Sequence, residues 1–257
     1  MTKYIEEAKV VGQRILNATT KQIDLIAPRI AAEAVPGQFV NVQVSNRTAP
    51  LLRRPLGVAG VDRNYGTVSL IYRIVGDATN ILADVCSGDH ISLVGPLGHG
   101  FDRSAKHPLL VGGGTGLAPL LYLADTFVEE GIRPDVLMGG RTAEDVFWKD
   151  LYDGIAGRTG ITTDDGTLGT KGTVMALLPD MLEKGNYDCV YVCGPVPMMK
   201  AVSAAVLEKG IKCQVSLEKY MACGLGACLS CSCQGIGRRL KVCQDGPVFW
   251  AEEVAEW

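Results

Sequence analysis

The chain has 257 residues, 47% of them hydrophobic and 21% charged, with a formal net charge of −3. About 100–200 residues per domain favours two domains, large enough to bury cores without disulfide staples. No Lys/Arg block marks a nucleic-acid surface, no apolar run approaches the roughly 18–20 residues that span a bilayer, and Met1–Glu7 has no apolar signal core, so the expected location is the cytoplasm.

Residues 1–102 read as β structure. Residues 38–44 alternate apolar and polar side chains, as a half-buried strand does. Residues 68–75 and 90–94 are further strands bounded by Gly and Asp. Short strands separated by turn residues predict an antiparallel barrel. Two stretches here carry candidate ligand contacts: Arg53-Arg54-Pro55-Leu56-Gly57-Val58, and Ile71-Tyr72-Arg73 running on to Gly76 and Thr79. An arginine beside a fixed proline turn can clamp a diphosphate, because guanidinium matches phosphate oxygens. Taken singly, each arginine also reads as an ordinary surface residue on a strand.

Residues 103–217 alternate strand and helix, which predicts a doubly wound parallel sheet with right-handed connections. A short apolar strand ending at Val111 runs into Gly112-Gly113-Gly114-Thr115-Gly116 and then a helix over 117–130. Backbone N–H groups in such a loop, together with the helix dipole, attract a pyrophosphate. Leu117 stands where a GxGxxG motif would place its third glycine, and no Gly-Lys-Ser/Thr follows, so this is neither a Rossmann fingerprint nor a P-loop. Further strands are expected over 135–138, 160–163, 188–193 and 212–217. Cys193-Gly194-Pro195 is a second strand-to-helix junction, before a helix over 197–209. Ligands of open α/β sheets bind at the carboxyl ends of strands, where both junctions would lie.

Residues 218–257 hold too little apolar material for a core of their own. Nine cysteines are present, and five fall between Cys223 and Cys243. In a reducing compartment such a cluster points to metal rather than disulfides. Cys223-x4-Cys228-x2-Cys231, with a distant Cys243, is the plant-type 2Fe-2S spacing. Gly224 and Gly226 let the backbone fold tightly around the sulfurs. Cys233 competes as fourth ligand; Cys243 is preferred because it comes from a separate strand and closes the cage from the other side. A zinc knuckle is the competing reading, although zinc sites more often use paired C-x2-C hooks or histidines. Cys86, Cys189 and Cys213 sit in apolar contexts and are expected to be small buried residues.

Together these motifs resemble the ferredoxin-reductase-like flavoproteins, and within them the electron-transfer subunits of NAD-dependent dihydroorotate dehydrogenases. The resemblance runs the length of the chain, through Arg54-Pro55, Ile71-Tyr72-Arg73, Leu97–Phe101, Gly112–Leu120, Thr163–Gly166, Cys193-Gly194-Pro195, Glu218–Gly224 and Asp245–Phe249. It implies an α+β multidomain fold: an FAD-binding barrel over 1–102, an NAD-binding α/β domain over 103–217 and a 2Fe-2S segment over 218–257. It places the flavin ring near Arg54, Pro55, Leu56, Gly57 and Val58, and the ribityl and diphosphate near Tyr72 to Thr79. NAD would lie on Gly112–Gly116 and Cys193–Pro195. Two departures are visible: Gly57 stands where the family usually has Ser, and Ala78 where it usually has Gly.

Nicotinamide carries hydride, a 2Fe-2S cluster carries single electrons, and a flavin converts between them. The resemblance implies a partner, an FMN-bearing dihydroorotate dehydrogenase catalytic subunit in a heterotetramer, with the Cys223–Cys231 loop at the interface. A reductase subunit of another flavin/iron–sulfur complex, of ferredoxin-NAD(P) reductase or sulfide dehydrogenase type, shares the cofactors but not the partner. A zinc-bearing binding module is the non-redox reading. His90, His99 and His107 read as structural or surface residues, with no nucleophile motif beside them. Arg141 leaves NAD against NADP open.

Overall fold

The computed structural model describes residues 2–45 and 48–255; Met1, Asn46, Arg47, Glu256 and Trp257 lie outside the described residues. The chain opens with a long hairpin, β1 (Tyr4–Asn17) and β2 (Thr20–Ile26), followed by the short helix α1 (Pro28–Glu33). Neither strand stands out in the sequence, and Glu6 shows why. It occupies an inward position of β1, where its carboxylate accepts hydrogen bonds from the Arg29 (3.2 Å) and Ile30 (3.1 Å) N–H groups at the start of α1. A charged residue that caps a distant helix hides the strand's apolar alternation.

β3 (Phe39–Val42), β4 (Arg54–Asp62), β5 (Thr67–Arg73) and β6 (His90–Leu97) close the barrel in the order β1-β2-β5-β4-β3-β6. The helix α2 (Asp77–Ala83) intervenes between β5 and β6. Arg54-Pro55 therefore begins a strand rather than forming the turn expected of it. β3 is buried on both faces, not half-buried. Val40 and Val42 fill the barrel, while Phe39 packs outward with the core of the second domain.

That domain is a sheet of seven strands. Its elements are β7 (Pro108–Gly113), α3 (Leu117–Glu129), β8 (Asp135–Gly140), α4 (Trp148–Tyr152), β9 (Thr159–Thr163), β10 (Thr170–Lys171), α5 (Leu178–Lys184), β11 (Cys189–Cys193), α6 (Val196–Glu208) and β12 (Lys212–Ser216). The sheet order is β10-β9-β8-β7-β11-β12-β15, where β15 (Val248–Trp250) comes from the cysteine segment and runs antiparallel to β12. All five residues of β11 are buried, as a central strand covered on both faces requires. The chain steps one way from β7 to β10 and then the other way through β11 and β12, so the order reverses between β7 and β11.

The cysteine segment adds a small hairpin of β13 (Ser232–Gln234) and β14 (Arg239–Lys241). It has no core of its own: Leu240, Val242 and Phe249 join the same cluster as Val190 and Val215 of the sheet. β15 thus crosses the boundary expected at residue 217. The two larger bodies meet where α3 packs on β4, and the Tyr122 hydroxyl of α3 donates to the Ala34 carbonyl at 2.9 Å.

Candidate functional site

The strand reversal places the two glycine-bearing junctions side by side, since Cys193 of β11 pairs with Gly112 of β7. A Cβ on Gly113 would meet Met198 Sδ at 2.8 Å, and one on Gly194 would meet the Gly113 carbonyl at 2.9 Å. One on Gly116 would collide with the Cys193 carbonyl. The loops therefore touch backbone to backbone, at the N-terminal ends of α3 and α6, 13 residues each. The positive ends of two helices converge there, a setting suited to a pyrophosphate. Gly114, at φ +56°, has open space beyond its Cα. The Cys193 thiol is buried and faces the Ser216 carbonyl at 3.7 Å; burial, then the nearby Glu218, push its pKa far up, so it packs rather than reacts. Glu218 lies two residues beyond β12 and is exposed at its surface, and the protein packed around its carboxyl raises its pKa.

On the barrel side the two adjacent arginines separate in role. Arg53 is half-buried and tied to the barrel: Nη1 donates to the Ser92 carbonyl at 2.7 Å, and Nη2 to Gln43 Oε1 at 2.8 Å and Ser92 Oγ at 3.0 Å. Among the described residues Arg54 donates to neighbouring backbone carbonyls, chiefly Leu52 at 2.6 Å. Among the described residues neither Arg54 nor Arg73 has a carboxylate partner, which suits a diphosphate. Tyr72 turns into the barrel, 2% exposed, and donates to Gln13 Oε1 at 2.6 Å, so only its backbone is free for a ligand. Ile71 faces outward into the core shared with Leu117 and Leu120. The Thr79 hydroxyl accepts from the N–H groups of Val75 (2.9 Å) and Gly76 (3.1 Å), shaping the entry to α2. Gly57 faces Pro119 of α3, and a Cβ would stand 3.8 Å away, so the serine usual at this position would fit. Arg73 and Arg141, far apart in sequence, line one cavity of about 370 Å³ between the domains with Asn17, Thr19, Thr142 and Asp145. There Arg141 is held by Asp145 at 3.2 Å.

The cysteines form two pairs. The Cys223 sulfur accepts from the Leu225 (3.3 Å) and Cys228 (3.4 Å) N–H groups, and the Cys228 and Cys223 side chains interact. The Cys231 sulfur accepts from the Cys243 N–H at 3.5 Å, and the two thiols interact directly. Gly226, at φ +85°, aims its N–H at Cys243, which also senses Cys223. Ser230 lowers the Cys228 thiol to about 6, whereas burial and Cys231 push Cys243 up to about 12. Two crowded sulfurs ionise together only beside positive charge, which a metal supplies. Among the described residues no three His, Cys, Asp or Glu side chains gather around a single point. A 2Fe-2S cluster asks only for two thiolates at each iron, and the pairing fits it. Cys233, 8% exposed, sits beside Leu240 in the same apolar cluster as Cys231 and Cys243, but among the described residues its sulfur accepts from no other cysteine's N–H, as those of Cys223 and Cys231 do. Of the other cysteines, Cys189 and Cys213 are buried as expected, but Cys86 is exposed: it follows α2 in a polar turn, where its N–H bonds Asp89. All three histidines are exposed.

The loop of Cys223 is docked on the barrel. Asn41 of β3 donates from Nδ2 to the Cys223 carbonyl at 3.2 Å. Nothing local marks Asn41 beyond its place in a short strand, and the contact is made across 182 residues of chain.

A flavin-reductase-like barrel, a nucleotide-type sheet with its switch-point glycines, and paired thiolates in one body define an electron-transferring oxidoreductase. Residues 110–205 match the oxidoreductase NAD-binding domain family, and residues 218–255 match the iron–sulfur cluster binding domain of dihydroorotate dehydrogenase B. The chain is 40% identical over 227 residues to a dihydroorotate dehydrogenase B (NAD(+)) electron transfer subunit from Fusobacterium nucleatum, covering 85% of this chain and 86% of that one. It is 39% identical over 258 residues to the subunit of the same name from Geobacillus thermodenitrificans, covering 97% and 98%. Among solved structures it superposes on a chain of the NADH-dependent reduced ferredoxin-NADP oxidoreductase with a TM-score of 0.87 at 30% identity, covering 97% of this chain and 90% of that one. It shares its fold with the ferredoxin reductase of carbazole 1,9a-dioxygenase at a TM-score of 0.69 and 23% identity, covering 82% and 67%. The chain belongs to the family of dihydroorotate dehydrogenase B (NAD(+)) electron transfer subunits.

Proposed function

We propose that the chain carries electrons from the FMN of a dihydroorotate-oxidising catalytic subunit, through a 2Fe-2S cluster and FAD, to NAD. The observation that carries this reading is the sulfur pairing of Cys223 with Cys228 and of Cys231 with Cys243, docked on the barrel beside the Arg54-Pro55 strand. The four thiolates would hold the cluster. Arg54, Pro55, Leu56 and Gly57 would border the flavin ring, and Ile71, Tyr72, Arg73, Gly76 and Thr79 its ribityl and diphosphate. Gly112 through Gly116 and Cys193-Gly194-Pro195 would seat NAD. Bound FAD would exchange hydride with nicotinamide and single electrons with the cluster. The protein's part is orientation: Asn41 and Gly226 settle the cluster loop, Thr79 orders the phosphate-facing turn, and Cys193 closes the floor of the nucleotide site without reacting. The exposed apolar residues Tyr220, Leu225 and Leu229 flank the thiolates and suit an interface with the catalytic subunit in a heterotetramer.

The test has two stages. The purified chain should show flavin and 2Fe-2S absorption that bleaches with dithionite, with about two irons per FAD. Mixed with its catalytic subunit and dihydroorotate, it should reduce NAD. Failure of the second stage alone would favour a different flavin/iron–sulfur complex. The 30% identity to a chain of a ferredoxin-NADP oxidoreductase gives that reading its support. NADH-driven reduction of ferredoxin, without response to dihydroorotate, would establish it.

A further inference from the structure

Asn41 is 1% exposed, and its Oδ1 is buried with no hydrogen-bond partner among the described residues. An apolar side chain of similar volume would avoid that orphan, so packing alone does not explain an asparagine here. The amide orientation follows from its neighbour: the Cys223 carbonyl can only accept, so the group facing it is Nδ2. Asn41 lies directly opposite Pro55 in the β3–β4 ladder, and Phe39 lies opposite Gly57. Directly opposed residues share a face. Asn41 therefore stands on the same face as Pro55 and Gly57, outside the barrel. A Cβ on Gly224, at φ +68°, would collide with Asn41 Nδ2, so only glycine allows the loop this close. Phe39, two residues away on that face, packs into the apolar cluster containing Cys231 and Cys243. β3, the strand beside Arg54–Gly57, thus bonds the Cys223 loop through Asn41 and shares through Phe39 the apolar cluster that holds Cys231 and Cys243.

We propose that Asn41 is a positioning residue: its Nδ2–H bond to the Cys223 carbonyl fixes the cluster loop against the strand that borders the flavin, and so sets the cluster's geometry relative to the ring. The inference rests on the cofactor assignment above.

The test uses the full chain loaded with cluster and FAD, in wild type, Asn41→Leu and Asn41→Asp. Asn41→Leu removes the donor and the orphan together. Asn41→Asp keeps the size and sets an acceptor against the carbonyl. The readouts are the EPR spectrum of the reduced cluster, its midpoint potential, and the rate of iron loss to a chelator. Both variants should keep FAD, shift the EPR signal and the potential, and lose iron about 10–100-fold faster, as outer-shell substitutions at metal sites do. Wild-type EPR, potential and iron retention in both would overturn the proposal. If Asn41→Leu fails to fold, Asn41→Asp decides by the same criteria. A wild-type chain that binds no cluster would instead overturn the cofactor assignment beneath it.

Discussion

Gly114 and Gly116 sit two residues apart and answer to different constraints. Gly114 holds φ +56° with nothing nearby, so alanine there costs the left-handed conformation alone, about 1 kcal/mol. Gly116 has ordinary helical dihedrals (φ −62°), but its missing Cβ is replaced by the Cys193 backbone. Gly116→Ala must push β11 away from β7, an overpacking cost of up to about 3 kcal/mol. The expected result is a larger drop in Tm for Gly116→Ala than for Gly114→Ala, with weakened NADH binding by titration; equal melting would contradict the backbone contact. The cysteines divide as sharply. Cys233→Ala should retain about two irons per chain by iron assay, because among the described residues its sulfur has no hydrogen bond to another cysteine. Cys243→Ala should lose the cluster, because its sulfur belongs to a pair.

At the scale of elements, β15 ties the iron–sulfur segment to the nucleotide domain. Phe249 pairs with Val215 and is 4% exposed. Phe249→Ala should destabilise the chain by about 3–5 kcal/mol in denaturant unfolding, as deletion of a buried aromatic ring does. An effect below about 1 kcal/mol would mean that the strand is only loosely added to the sheet. The antiparallel direction of β15 also places the 223–243 loops at the edge that faces the barrel, since His99 and Pro247 form a bridge there. An independent third domain on a linker would leave that distance unset.

For the whole molecule, the barrel and the sheet each own an apolar core, whereas the cysteine loops borrow theirs. Removing iron with a chelator should therefore leave far-ultraviolet circular dichroism close to the native spectrum while exposing the 219–230 loop to protease. Ligation supplies folding energy only where packing does not. Cleavage spread through both domains after iron removal would show instead that the cluster holds the whole fold together.

Periodicity and spacing determined much by themselves: the barrel-then-sheet order, the strand-to-helix glycine junctions, and the iron–sulfur spacing of four cysteines. These are local signals, carried by neighbours along the chain. The tertiary structure decided what depends on distant residues. Glu6 looks like a surface charge until it caps α1, Arg53 and Arg54 look alike until Ser92 and Gln43 hold one of them, and Cys233 competes with Cys243 until the Cys243 N–H meets the Cys231 sulfur. Asn41 meets Cys223 only because the sheet and barrel fold together. Burial and hydrogen-bond partners are properties of the assembled chain, so no pattern within a short window of sequence contains them.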